Sequence, residues 1–137
     1  MRHERDTFLH YLADNISKYK IKNVRFDPAI PDSSRITSGA INVQFLSDNP
    51  QVQVGVMAVS IDCVADRELD VIDMADTVFK LLSLNSMCPQ YDYTNPQNPV
   101  QLSGNIYWDA NSLNFRPISD KLYCRYNSLL YLSYHPF

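Results

Sequence analysis

The side chains best suited to nucleophilic or metal chemistry in this 137-residue chain are three cysteines and three histidines. Cys88 stands before a proline and could be reactive, but no base lies near it in sequence to activate the thiol. His3 and His10 are seven residues apart and could share a helix face, yet no cysteine or acid stands near them at a recognised ligand spacing. Cys63 and Cys124 fall on predicted strands, where a buried structural cysteine is the ordinary case. We therefore predict surface histidines and reduced structural cysteines rather than a metal site or a disulfide framework.

A run of acids is the second group that could do chemistry. Its members are Asp62, Asp66, Glu68, Asp70, Asp73 and Asp76. Such a run could bind a metal or do acid–base work, but helix capping, the helix dipole and a solvated helix face explain it as well. The sequence has no GxSxG, GxGxxG or HExxH motif and no phosphate-binding loop. We predict that the protein is not an enzyme and uses no cofactor.

Composition narrows the class of protein. The net charge of −3 and the isoelectric point near 5.4 argue against a protein that wraps nucleic acid. Hydrophobic residues make up 45% of the chain, which fits one soluble domain over residues 1–137. Charged residues open the chain, and no apolar run approaches the ~20 residues of a membrane span. We therefore expect neither a signal peptide nor a membrane helix, and synthesis in a reducing cytoplasm.

Two amphipathic helices must position these side chains. In residues 4–19, apolar residues recur at spacings of three and four, beginning at Phe8 and ending at Tyr19. In residues 67–82, a second apolar stripe includes Phe79, and Asp66 is predicted as its N-cap.

Alternating strands account for most of the remaining chain. We predict strands at 23–27, 40–46, 51–63, 100–108, 113–118 and 122–134, with loops at 28–39 and 85–99 and turns at 47–50 and 109–112. The segments 40–46 and 51–63 form an antiparallel hairpin. Together these elements predict an α+β fold, a mostly antiparallel β-sheet with two main α-helices packed on it.

The strand at 51–63 changes the parity of its apolar residues partway along. Val52, Val54 and Val56 share one face, whereas Met57, Val59, Ile61 and Cys63 share the other. A bulge near Gly55 could re-aim the chain, or each half of the strand could meet a different partner.

Aromatic residues accumulate late in the chain. The last strand carries Tyr123, Leu129 and Tyr131 on the face opposite its apolar core set. Two interpretations are open: the two helices cover both faces of the sheet, or the second face is a protein–protein interface, in which tyrosine and arginine are enriched.

The order of elements resembles that of the tail terminator, or tail completion, proteins of tailed bacteriophages. The resemblance lies in a helix, a hairpin whose long strand feeds an acidic helix, a strand GNIYWD, a short strand NFRPISD and a terminal aromatic strand LYCRYNSLLYLSYHPF. It implies a structural virion protein that forms a homohexameric ring on the tail tube, stops tube growth and provides the surface for head–tail joining. The implied partners are further copies of the chain, the tail tube protein and a head-completion or connector protein, with DNA passing through unbound and no membrane involved.

The resemblance also suggests where such a ring would make its contacts. The candidate assembly interface consists of Met57, Val59, Tyr123, Arg125, Leu129 and Tyr131. The candidate channel-facing acids are Asp70, Asp73 and Asp76, whose charge would repel DNA phosphates. The loops at 28–39 and 85–99 would order against tube or neck partners. The implied location is the virion tail or neck, after synthesis in the host cytoplasm.

Three alternatives remain. The protein could be another neck or connector component, or a monomeric module that binds a peptide or protein through its sheet edges and tyrosines. The third alternative is an uncharacterised enzyme.

Overall fold

The computed structural model describes residues 2–24, 37–49 and 54–135. They form an α+β fold in which two helices pack on a mostly antiparallel sheet, as predicted. The helices are α1 (Arg2–Asn15) and α2 (Glu68–Leu84). The strands are β1 (Lys20–Asn23), β2 (Ala40–Asn49), β3 (Gly55–Ala65), β4 (Met87–Asp92), β5 (Val100–Trp108), β6 (Arg116–Pro117) and β7 (Cys124–Tyr134).

The sheet has the strand order β1-β2-β3-β7-β5-β4, and β6 also pairs with β7. β1 is parallel to β2, whereas the other pairs are antiparallel. β3 occupies one edge of β7 along its whole length, so β5 and β6 share the other edge. The strand that comes last in chain order therefore lies in the middle of the sheet.

Both helices pack against the same face of this sheet. One continuous apolar core contains residues of both helices and of β3. They are Phe8 and Leu12 of α1, Val71 and Val78 of α2, and the β3 side chains that lie on the same face of the strand as Ile61. Trp108 on β5 links the two helices, because its ring contacts Phe8 and its Nε1 donates to the carbonyl of Leu82 at 2.9 Å. The interpretation in which the helices cover both faces of the sheet is therefore wrong for the described residues.

α1 is shorter at its C-terminal end than predicted. The side chains of Phe8, Leu12 and Ile16 are buried as the spacing indicates. The helix ends at Asn15, whose Nδ2 donates to the carbonyl of Tyr11 at 2.8 Å, and the backbone nitrogen of Ile16 donates to the carbonyl of Leu12 at 2.9 Å. Tyr19 lies beyond the helix.

α2 begins differently from the prediction. The N-cap residue is Arg67, which makes no side-chain capping bond. Asp66 is not the cap, because its Oδ1 lies 3.3 Å from the hydroxyl of Ser38, which donates to it. The predicted apolar stripe is buried except at Phe79, which is 42% exposed at the margin of the stripe.

The β2–β3 hairpin is confirmed, but the change of parity has a simpler cause than those predicted. β3 pairs with β7 in unbroken register from Gly55 to Ala65, and the irregularity lies on β2, between Phe45 and Ser47. Ser47 already belongs to β2 rather than to a turn. Val56 is exposed on the face away from the helices, whereas the residues of β3 from Val59 onward are buried on both faces. Within Gly55–Ala65, β3 has neither a bulge nor a change of partner, so both predicted explanations are wrong for this part of the strand. Residues 50–53, with Val52 among them, lie outside the described residues.

The predicted loop at 85–99 contains a strand. β4 pairs with β5 as an edge strand and lies beside α1. Pro89 has no N–H to donate, and for that reason the segment was predicted as a loop, but an edge strand tolerates a proline. The Oγ1 of Thr7 on α1 accepts a bond from the backbone nitrogen of Tyr91 at 3.0 Å and lies 3.4 Å from its carbonyl oxygen. Only residues after Asp92 form the exposed turn that the proline content predicted.

In the last third of the chain, β5 has the predicted bounds, and a 3₁₀ turn, Ala110–Ser112, lies in the predicted turn. Of the predicted strand 113–118, only Arg116–Pro117 forms a strand, and β7 begins at Cys124 instead of residue 122. β1 lies earlier than the predicted strand at 23–27, and residues 25–36, which include most of the predicted loop 28–39, lie outside the described residues. The described part of the chain contains no helix long and apolar enough to cross a membrane.

Candidate assembly interface

The helix-free face of the sheet carries an apolar patch, which we call the open-face patch. Its residues are Leu46 on β2, Val56 on β3, Tyr107 on β5, and Leu129 and Tyr131 on β7. Strand pairing brings them together: Val56 lies opposite Ser133, Ala58 opposite Tyr131, and Tyr107 opposite Ser133. Val56, Leu129 and Tyr131 are 42%, 44% and 56% exposed. Large apolar side chains are thus left uncovered at one end of the sheet.

A polar network adjoins this patch on the same face. The Nε and Nη2 of Arg125 donate to the two carboxylate oxygens of Asp62 at 3.2 and 3.3 Å. The Nδ2 of Asn127 lies 2.8 Å from Asp62 and 2.7 Å from the hydroxyl of Ser60. The side chains of Arg125 and Asp62 are only 16% and 8% exposed, so this ion pair is shielded from water. A bidentate pair in such a setting fixes the geometry of the neighbouring strands β3 and β7.

The turn before β7 is held by the same network. Asp120 accepts bonds from the backbone nitrogens of Leu122 and Tyr123 at 2.8 and 3.2 Å, and its Oδ2 lies 3.9 Å from Arg125. Arg125 therefore touches two carboxylates of its own chain, and Tyr123 is half-buried in the turn. Both belonged to the predicted interface, but their contacts here are internal.

The other four predicted interface residues fall into a buried pair and an exposed pair. Met57 and Val59 are fully buried in the core that contains α2, so neither side chain is accessible on the surface of this chain. Leu129 and Tyr131 are exposed and neighbouring. Sequence reasoning missed Val56, Leu46 and Tyr107. The sequence pattern could have identified Val56, because alternation places it on the same strand face as the polar residues Ser60 and Asp62, opposite the apolar face of β3.

The three predicted channel acids have different surroundings. Asp70 accepts bonds from Arg67 at 3.1 and 3.3 Å. Asp73 accepts a bond from Lys18 at 2.7 Å and one from the hydroxyl of Tyr19, and these donors hold the pKa of its carboxyl below the usual value of 3.8. Two of the three charges are thus compensated. Asp76 has no ion pair with another described residue and lies beside a groove described below.

The cysteines and histidines have structural surroundings. Burial raises the pKa of Cys63 to about 12 and that of Cys88 to about 11, so both thiols are protonated near neutral pH. The ring of His10 stacks on Tyr93 with 3.8 Å between centroids, and His3 lies 3.9 Å from Asp92. Across the residues that the structure describes, no three side chains of His, Cys, Asp or Glu are grouped to hold a metal ion.

Comparison with known proteins adds no further assignment. No protein-family model matches this sequence, and no curated protein is significantly similar to it. The functional assignment therefore rests on the geometry of the open-face patch and its surroundings.

Proposed function

We propose that this chain is a structural assembly protein of the tail-terminator type, which forms a ring of identical copies on a phage tail tube. There it would end tube growth and offer a surface to which the head joins. The observation that carries this proposal is the open-face patch, in which Val56, Leu129 and Tyr131 lie exposed on neighbouring strands. Contiguous exposed apolar side chains mark protein contacts in soluble proteins.

The chemistry of the patch favours a protein partner. Tyrosine and large apolar side chains are enriched at the centres of interfaces, and charged pairs lie at their margins. Here the Asp62–Arg125 pair borders the patch and holds its two strands in register. A rigid flat surface suits repeated contacts between identical subunits, because little conformational entropy is lost on association.

The same patch would serve a neck or connector component equally well. A monomeric module that adds a peptide strand to a sheet edge is less favoured, because Thr7 already occupies the backbone groups of Tyr91 on the β4 edge.

Assembly onto tail tubes tests the proposal. Purified wild-type chain should cap isolated tubes as a ring visible by negative-stain electron microscopy. Leu129→Asp should abolish capping, because a carboxylate at the centre of an interface must be desolvated without a partner. The matched control is Leu84→Asp, an exposed leucine at the C-terminal end of α2, which lies outside the open-face patch. Circular dichroism should be the same for all three proteins. Capping by Leu129→Asp at wild-type level, or absence of the chain from purified tails, would contradict the proposal.

A further inference from the structure

A second apolar surface lies on the helix side of the sheet, opposite the open-face patch. It is a groove of about 290 Å³ between α2 and the segment around β6, which we call the α2 groove. Its walls include Ile72, Asp76, Phe79, Leu113, Phe115 and Tyr126. Drug-sized ligands occupy sites of roughly 300–1,000 Å³, so a groove at the bottom of this range suits a single large side chain better.

The α2 groove contains one acceptor with no ion-pair partner. The hydroxyl of Tyr126 donates to Glu68 at 2.8 Å and is therefore committed within the chain. The carboxylate of Asp76 makes no ion pair with any other residue in the described ranges, and it lies beside the apolar side chains of Ile72 and Phe79. An aromatic ring that carries a hydroxyl donor would match this combination.

We propose that Tyr131 of one copy inserts into the α2 groove of the next copy, where its hydroxyl donates to Asp76. This inference rests on the proposed ring and names the two surfaces that meet in it. Tyr131 is the most exposed aromatic residue of the described chain, at 56%. Because the open-face patch and the α2 groove are different surfaces, the contact is head-to-tail, and contacts of that kind generate rings when the rotation between copies closes.

Charge complementarity supports a second copy as the occupant. α2 carries Glu68, Asp70, Asp73 and Asp76 against Lys80 alone. The open face of the sheet carries Lys20 and Lys22 on β1 and Arg116 on β6, whose strand partners place them on that face. Asp62 on the same face is already bound to Arg125, which also lies 3.9 Å from Asp120. On α2, Arg67 and Lys18 compensate Asp70 and Asp73, so the acid beside the groove that has no ion pair among the described residues is Asp76. The positive charge of the open face is complementary to it when copies stack head to tail.

The exposed part of this face is confined to one end of the sheet, because Ser60, Asp62 and Val64 on the same side of β3 are buried. The contact between copies is therefore centred on Leu129 and Tyr131 and is not spread over the whole sheet.

Cross-linking between singly substituted copies tests which surfaces meet. Tyr131→Cys and Phe79→Cys are each made in a Cys124→Ser background, since Cys63 and Cys88 are buried. The two proteins are mixed on tail tubes and treated with a short bismaleimide. The expected product is a dimer joined through positions 131 and 79, identified by mass spectrometry.

Three other results would overturn the inference. Rings that yield only 131–131 or 79–79 dimers would show a symmetric contact between copies. A link from position 79 to the tube protein would show a different occupant of the groove. Rings without any link would leave the proposed function intact and remove this interface. Failure of the wild-type chain to form rings would instead remove the proposed function, and the inference with it.

The affinity of self-association, measured for variants at Tyr131 and Asp76, distinguishes the contribution of the aromatic ring from that of the hydrogen bond. Tyr131→Ala should weaken self-association by about 30-fold or more, as expected when a central aromatic anchor is lost. Tyr131→Phe and Asp76→Ala should each weaken it by about tenfold, and the double variant by no more than either alone, because each substitution removes the same hydrogen bond. Additive losses in the double variant would contradict the Tyr131–Asp76 contact.

Discussion

Gly55 begins β3 directly opposite Tyr134 in the sheet, and the aromatic ring fills the space above the glycine. A Cβ at position 55 would lie 2.4 Å from the Cζ of Tyr134, whose side chain is almost completely buried. We therefore expect Gly55→Ala to lower the free energy of unfolding by about 1–3 kcal/mol, the usual cost of overpacking. Urea denaturation measures the change. Gly55→Ala combined with Tyr134→Leu should lose less than the sum of the two single variants, and simple additivity would contradict the steric explanation.

The three thiols should react at different rates. Burial raises the pKa of Cys63 to about 12 and that of Cys88 to about 11, so both thiols stay protonated at pH 8. Cys124 is partly buried, and its surroundings leave it more accessible than the other two thiols. A colorimetric thiol reagent at pH 8 should therefore modify one cysteine per native chain quickly and two more only in urea. Cys124→Ser should remove the fast reaction. Two fast thiols in the native protein would contradict the burial of the other pair.

At the scale of elements, the segment between α1 and β1 is joined to α2 by a polar cluster of Lys18, Tyr19 and Asp73. Because the donors lower the folded pKa of Asp73 below 3.8, the cluster stabilises the fold above that pH and loses its contribution as pH falls through the lower folded value. We expect Asp73→Asn to lower stability at pH 7 and to show a smaller further loss on acidification than the wild type. Urea midpoints at pH 7 and pH 2.5 measure both effects. Asp76→Asn, which removes an acid without an ion pair in the described structure, is the control, and equal acid sensitivity of all three proteins would contradict this role.

The elements that could be predicted from sequence are those whose pattern is set locally. α2 and β5 follow from their periodicity alone. β4 could not be predicted, because Pro89 is acceptable only in an edge strand. That β4 lies at the edge of the sheet and is covered by α1 depends on contacts between residues far apart in sequence. The same holds for Asp66, which suits an N-cap locally but bonds to Ser38 from a distant part of the chain.

At the scale of the whole molecule, the candidate site was only partly predictable. The alternation of β7 places Leu129 and Tyr131 opposite its buried face, and the structure has them exposed there. Met57 and Val59 could not be assigned correctly without knowing that both helices lie on one side of the sheet. The Asp62–Arg125 pair joins residues 63 positions apart, and single-sequence patterns carry no signal for such a contact.

The central position of β7 has a consequence for how the protein is made. While the chain is being synthesised, β1–β2–β3 and β4–β5 can each form, but β3 and β5 have no partner to join them before residues 124–134 leave the ribosome. The nascent chain thus holds two separate groups of strands with unpaired edges, which are the surfaces that chaperones shield. Leu129 and Tyr131 reach the surface on the strand that completes the sheet. A chain stalled short of this strand would lack both side chains, and with them the centre of the open-face patch.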